Sequence, residues 1–236
     1  MQTAQAPSSI AANYERMTER IRRACDRLGI RYSDITLVAV TKTVEVARVR
    51  EAIAAGVKEF GENYVQEGRP KIQAVGRDRA RWHFIGHLQK NKVNTCLDYF
   101  DLIHSVDSLD LARRIAARAQ QQNRTFPVLL ELNLSGETTK FGVRPPDLIP
   151  LMEGIEQLDN IEVAGLMTIP PMRDDPDDSR PFFKRLRSLA DDLDRRGFRR
   201  WNRRHLSMGM THDFEAALVE GSNILRIGRG IFGARG

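Results

Sequence analysis

The sequence predicts an α/β fold, a single (β/α)8 TIM-type barrel with one extra helix in front of it. Eight short apolar runs alternate with longer amphipathic stretches, a pattern typical of parallel strands covered by connecting helices. The 236 residues suffice for one barrel of this kind, in which right-handed crossovers place every helix outside. An open doubly wound sheet is the alternative. It favours fewer strands and a glycine-rich first turn, where this chain has Thr41-Lys42-Thr43.

The chain begins with a short polar segment followed by a helix. Residues 1–9 contain neither the basic nor the apolar region of a secretory signal, and we expect them to form a flexible tail. The first helix is predicted from Ile10 to Leu28 and ends at Gly29, which suits a left-handed C-cap. The barrel domain is predicted to span residues 10–236.

The strands and helices of the barrel follow in strict alternation, separated by glycine, proline and polar turns. Strands are predicted at residues 35–40, 58–62, 81–86, 100–106, 128–134, 161–168, 205–208 and 224–228. Helices are predicted at residues 46–55, 65–75, 91–97, 109–122, 146–158, 181–196 and 214–219, and a short closing helix follows the last strand.

Composition and charge indicate a cytoplasmic protein. The net charge is +6, but the arginines are mixed with acids along predicted helices, which favours a solvated helix surface over a nucleic-acid interface. Cys25 and Cys96 lie far apart and have no metal-binding spacing, as expected of free thiols in a reducing compartment. No apolar run is long enough to span a membrane. We therefore expect neither a membrane nor a nucleic-acid partner.

Polar and small residues collect at the ends of the predicted strands, where (β/α)8 barrels carry their active sites. Lys42 follows the first strand, and the turns after strands seven and eight contain small residues whose backbone N–H groups can approach a phosphate. A lysine facing a phosphate site suggests an aldehyde cofactor bound as an imine. The alternative is a solvated surface lysine.

Six segments in this order carry a family resemblance: residues 39–43 (AVTKT), 60–67 (FGENYVQE), 82–92 (WHFIGHLQKNK), 165–170 (GLMTIP), 206–210 (LSMGM) and 226–233 (RIGRGIFG). They resemble the pyridoxal phosphate homeostasis protein family, and the match covers essentially the whole chain after residue 30. That family resembles the N-terminal barrel domain of alanine racemase. The resemblance implies a protein that binds pyridoxal 5′-phosphate (PLP), keeps free PLP low and supplies it to PLP-dependent apo-enzymes. It also implies an influence on amino-acid and keto-acid balance, without a clear catalytic activity.

The resemblance also implies a set of cofactor-binding residues. Lys42 would carry PLP as a Schiff base, and Arg226 would face the pyridine nitrogen. Asn63 would line the cofactor from strand two, and Met167 would lie beneath or beside the ring. The phosphate would be held by the side chain of Ser207 and by the backbone around Gly228 and Arg229. Arg229-Gly230 stands where the family commonly has Thr-Ala.

Other functions and sites remain as alternatives at this point. A weak amino-acid racemase or another PLP enzyme is second, but it needs a second base opposite the lysine, a role for which Tyr64 is the one candidate. A nucleic-acid-binding barrel is a distant third. His83 and His87 would lie roughly 13 Å apart on an extended strand, too far for one metal, so no metal site is expected. Lys140 is a candidate docking site for transient PLP, although a surface role is favoured. The closed barrel predicts a monomer.

Overall fold

The computed structural model describes residues 9–137 and 139–233, and within them eight parallel strands form one closed barrel. Each strand pairs with its neighbour in sequence, and the last pairs with the first. The predicted barrel is therefore confirmed. The strands are β1 (Thr36–Val40), β2 (Glu59–Glu62), β3 (Arg81–Phe84), β4 (Leu102–Val106), β5 (Phe126–Leu132), β6 (Ile161–Thr168), β7 (Trp201–Ser207) and β8 (Ile224–Ile227).

Helices connect consecutive strands and cover the outside of the barrel. The extra helix in front has the predicted bounds: the side chain of Ser9 accepts the Ala12 amide at its start, and Gly29 ends it at φ 66°. Residues 1–8 of the expected tail lie outside the described residues. The helices are α1 (Ile10–Leu28), α2 (Val46–Ala54), α3 (Val65–Val75), α4 (Val93–Tyr99), α5 (Leu109–Gln121), α6 (Leu148–Glu156), α7 (Arg180–Arg196), α8 (Phe214–Val219) and α9 (Arg229–Phe232).

The largest difference from the predicted bounds is in β7, which begins at Trp201 and not at residue 205. Its first four residues (WNRR) include an asparagine and two arginines, so they lack the apolar pattern of the other strands. They remain in the strand because their side chains pair with neighbours: Arg203 contacts Asp191 and Asp194 of α7, and Arg204 contacts Glu162 of β6. None of the helices in the described ranges is long and apolar enough to cross a membrane.

Apolar side chains form two separate cores. The large core lies between the barrel and the surrounding helices. The small core fills part of the barrel interior and consists of Val38, Leu102, Leu129, Ala164, Met167 and Ile224. The rest of the interior includes several polar side chains, which alternate with outward-facing apolar neighbours along the strands.

Candidate functional site

The carboxyl ends of β8, β1 and β2 lie side by side at the mouth of the barrel. Val38 of β1 is in register with Arg226 of β8, and Val40 is in register with Gly61 of β2. Gly228 follows β8 so closely that a Cβ added to it would lie 3.6 Å from the Cβ of Val40. The topology thus brings the lysine turn after β1 next to the turn after β8, as the sequence predicted.

Lys42 lies in a tight turn directly after β1. The Val44 amide donates to the Thr41 carbonyl at 2.9 Å, which closes the turn around Lys42 and Thr43. Thr43 has a φ of 63°, a left-handed conformation that is costly for a β-branched residue. The Lys42 side chain is partly buried. Strained turns of this kind persist only where the surrounding structure maintains them, and they cluster at functional sites.

Asn63 follows β2 and lies against the loop after β3. A Cβ on Gly86 would come within 2.2 Å of the Asn63 carbonyl oxygen, so this close approach requires a glycine at position 86. The Asn63 side-chain oxygen is buried and accepts no hydrogen bond from the described residues. Asn63 lines a cavity of about 480 Å³ that also contacts His87 and Glu131. A buried acceptor beside a cavity is suited to a ligand that donates a hydrogen bond.

A chain of hydrogen bonds crosses the barrel interior from Arg226 to Glu59. Arg226 Nη1 lies 2.6 Å from Ser207 Oγ, and Ser207 Oγ lies 3.0 Å from His104 Nδ1. His104 Nε2 lies 2.8 Å from His83 Nδ1, and His83 Nε2 lies 2.7 Å from Glu59 Oε2. The Glu59 carboxylate can only accept, so His83 donates to it; with neutral imidazoles in between, His104 then donates to His83, and the Ser207 hydroxyl donates to His104 while it accepts from Arg226.

This chain of hydrogen bonds requires a neutral His104, and the surroundings of His104 favour the neutral form. Complete burial lowers the pKa of His104 well below its usual value, and the neighbouring His83 and Arg226 lower it further. Burial also lowers the pKa of Arg226 to about 10, an effect that Glu131 and Asp213 oppose. Arg226 therefore stays charged at neutral pH. Its other terminal nitrogen, Nη2, donates to the Thr168 carbonyl at 3.0 Å, which completes its fixed orientation.

Glu131 is the carboxylate that faces this arginine from β5. Burial raises its pKa to about 7, and the nearby Asp107 adds to the rise, while Arg226 opposes it. Near neutral pH the Glu131 carboxyl is therefore present in both its protonated and its charged form. It occupies the wall of the cavity that Asn63 also lines.

The two turns expected to hold a phosphate differ in what their side chains do. Ser207 is fully buried, and its hydroxyl is bound to Arg226 and His104 inside the barrel. Thr211, beyond β7, has its hydroxyl 3.3 Å from the Gly230 amide in the turn that begins α9. Arg229 is exposed. The Thr211 hydroxyl therefore lies beside the turn after β8, and the Ser207 hydroxyl faces the barrel interior.

The remaining predicted residues are placed as follows. Met167 is fully buried in the small interior core, in register with Ser207. The Lys140 ammonium forms an ion pair with Glu137 at 2.8 Å. Within the described ranges no group of three or more His, Cys, Asp or Glu side chains is arranged so that it could hold a metal ion. His83 is buried within the barrel, whereas His87 lies beyond β3 and stacks on Phe141, with ring centroids 3.7 Å apart.

Sequence reasoning missed three members of this site: Glu59, His104 and Glu131. Each had been assigned only to a strand. His104 and Glu131 are the sole titratable residues in residues 102–106 (LIHSV) and 128–132 (VLLEL). A lone titratable residue inside an apolar strand is the available signal, since such a residue has to face a polar partner. The partner itself comes from another strand and is visible only in the folded barrel.

Comparison with known proteins agrees with the resemblance seen in the sequence. The model of the alanine racemase N-terminal domain matches residues 8–236. The pyridoxal phosphate homeostasis protein of Aquifex aeolicus is 46% identical over 222 residues, which cover 93% of this chain and 96% of that protein.

Two solved structures extend the comparison. PipY of Synechococcus elongatus with PLP bound is 32% identical, with a TM-score of 0.83 over 95% of this chain and 100% of that chain. Alanine racemase of Clostridium difficile is 16% identical, with a TM-score of 0.73 over 96% of this chain and 57% of that chain, and it shows the shared fold alone. The nearly full-length identity to the Aquifex protein establishes that this chain belongs to the pyridoxal phosphate homeostasis protein family, within the group that shares the alanine racemase N-terminal domain.

Proposed function

We propose that this protein binds PLP as a Schiff base on Lys42 and serves intracellular PLP homeostasis as a carrier and regulator. The observation that carries the proposal is the convergence of four features at one mouth: the strained Lys42 turn, the unpartnered Asn63 oxygen, the fixed Arg226 and the α9 turn. These groups fit PLP, which offers an aldehyde for a lysine, a ring nitrogen for a donor and a phosphate for backbone amides and a hydroxyl.

Each of these residues has a different proposed contact with PLP. Lys42 provides the amine, and Asn63 offers its oxygen to a donor on the ring side. The backbone of Gly228 and Arg229, together with the Thr211 hydroxyl, binds the phosphate. Met167, which belongs to the small interior core, would lie beneath or beside the ring. Ser207 contributes through Arg226, which it orients.

Arg226 favours binding over turnover. A guanidinium donates a hydrogen bond to the pyridine nitrogen and has no basic site to receive its proton. Bound PLP supplies an electron-withdrawing ring, which is most effective when that nitrogen is protonated. The Ser207 and Thr168 contacts hold the donor in place, and the nearby Glu131 and Asp213 carboxylates favour its charged form. We therefore propose a protein without a dedicated catalytic activity, as opposed to a weak racemase.

We further propose that the protein is a cytoplasmic monomer that passes PLP to PLP-dependent apo-enzymes. Cys25 and Cys96 are buried free thiols, which is typical of proteins from reducing compartments. The described strands close on themselves, so the barrel offers no strand edge for pairing with another copy.

Borohydride trapping tests the central assignment. The purified protein should show imine absorbance that borohydride abolishes, and peptide mapping should then locate the pyridoxyl group on the peptide containing Lys42. Lys42→Ala should lose this label, and Lys184→Met, which changes an exposed lysine on α7, serves as the control. A label chiefly on Lys140 would contradict the assignment. Racemisation of any amino acid that disappears in Lys42→Ala would favour the enzyme alternative.

A further inference from the structure

We propose that Glu62, Glu67 and Lys71 form a clamp that holds the turn on both sides of Lys42 and acts as a set of positioning residues for its amine. The consequence for PLP attachment rests on the proposed function. The contacts that define this Lys42 clamp connect the end of β2 and the helix α3 to the turn after β1.

The first half of the clamp binds the residue before Lys42. The Lys71 ammonium donates to the Thr41 carbonyl and to Glu62 Oε1, each at 2.7 Å. The Thr41 hydroxyl donates to the same Glu62 oxygen at 2.6 Å. Glu62 is fully buried, and Lys71 is 8% exposed. Both the carbonyl and the side chain of Thr41 are thus bound to one buried ion pair.

The second half of the clamp binds the residue after Lys42. The Thr43 amide donates to Glu67 Oε2 at 3.1 Å. Thr43 is the residue whose φ of 63° is unfavourable for a β-branched side chain, so the turn needs an external contact to keep this conformation. Glu67 also lies 3.7 Å from Lys71, one helical turn away on α3, which joins the two halves.

Close packing of α3 on β2 makes this reach possible. A Cβ on Gly68 would lie 2.6 Å from the Phe100 ring and 3.4 Å from the Glu62 Cβ. The absence of a side chain at Gly68 therefore lets Lys71, on the same face of α3, approach Thr41.

The chemistry of the pair points to positioning and not to stability alone. An apolar pair of similar size commonly stabilises a buried position as well as an ion pair does. The Lys71–Glu62 pair supplies what an apolar pair lacks, namely directed contacts to the carbonyl and hydroxyl of Thr41. Fixing the backbone on both sides of Lys42 aims its side chain and reduces the entropy lost on attachment. In that attachment the neutral Lys42 amine forms a C=N bond to the aldehyde carbon, and the aldehyde oxygen leaves as water with both amine protons.

Glu67→Ala, with Glu67→Gln as its matched control, tests the clamp at a partly exposed position. The first measurement is amide hydrogen exchange at Thr43 in PLP-free protein, and the second is the rate of imine formation after mixing with PLP. We expect exchange to become faster and imine formation slower in Glu67→Ala, each by about tenfold, the size expected for one charged hydrogen bond. Glu67→Gln keeps an acceptor oxygen and should lie closer to wild type.

The buried pair needs a double variant, because Lys71→Met alone would leave the Glu62 carboxylate unpaired. Glu62→Gln/Lys71→Met removes both charges and should slow imine formation while the melting temperature stays near that of wild type. The single variant Lys71→Arg keeps a cation beside Glu62, and it should form the imine faster than the double variant does.

If Glu67→Ala shows the same amide exchange at Thr43 and the same rate of imine formation as wild type, the clamp proposal is wrong. If wild type itself forms no imine at Lys42, the proposed function fails, and the hydrogen-exchange measurement still decides whether the clamp exists.

Discussion

Glu131→Gln should change how the stability of the PLP-free protein depends on pH. Burial raises the pKa of Glu131 from 4.5 to about 7, so the folded protein binds a proton that the unfolded chain has released between these values. The wild-type free energy of unfolding therefore falls as the pH rises through this window. The full cost of the buried charge is present above the folded pKa and absent below the unfolded one.

The size of the effect follows from the shift. The rise in the Glu131 pKa corresponds to a loss of about 3 kcal/mol in the free energy of unfolding. Partial exposure of Glu131 reduces the expected loss to about 2–3 kcal/mol. Glutamine has the same shape without the charge. Its variant should gain this much stability relative to wild type between about pH 5 and pH 8.

Urea denaturation at several pH values measures the difference directly. Glu153→Gln, at an exposed position on α6, is the matched control and should follow the wild-type curve. Parallel pH dependence in wild type and Glu131→Gln would refute the reasoning, because it would mean that Glu131 ionises in the fold as it does in the unfolded chain.

Four further predictions concern the mouth of the barrel and the assembly. Ser207→Ala should lower the free energy of unfolding of PLP-free protein by about 1–3 kcal/mol, because Arg226 and His104 lose a buried partner. Thr211→Ala should leave that stability unchanged and weaken PLP binding, and the reverse pattern would return the phosphate contact to Ser207. Arg226→Glu should favour a protonated ring nitrogen and raise α-hydrogen exchange of a bound amino acid, measured as deuterium uptake at matched PLP occupancy. Wild-type exchange as fast as that of a dedicated racemase would contradict this role. Light scattering should give the mass of one chain, 26.8 kDa, and a value near twice that would refute the monomer.

Most of the fold could be predicted from the pattern of hydrophobic residues along the sequence. Strands buried on both faces read as continuous apolar runs, and the helices between them show one apolar face, so eight alternating units were recognisable. The helix bounds at Ile10–Leu28 and Val65–Val75 followed from the same periodicity and from capping glycines. The early start of β7 did not follow, because its charged residues belong to the strand only through their pairing with α7 and β6.

The sequence by itself determined the barrel, the family and the place of Lys42 at the end of β1. These depend on local order along the chain: apolar period, turn residues and short motifs. Only the tertiary structure decided which polar groups meet. Ser207 faces Arg226 across β7 and β8, His104 joins His83 from the next strand, and Lys71 reaches Thr41 from α3. Hydrogen bonds and pKa shifts depend on distances of a few ångströms between residues far apart in sequence. Closing the barrel sets those distances, and no spacing along the chain encodes them.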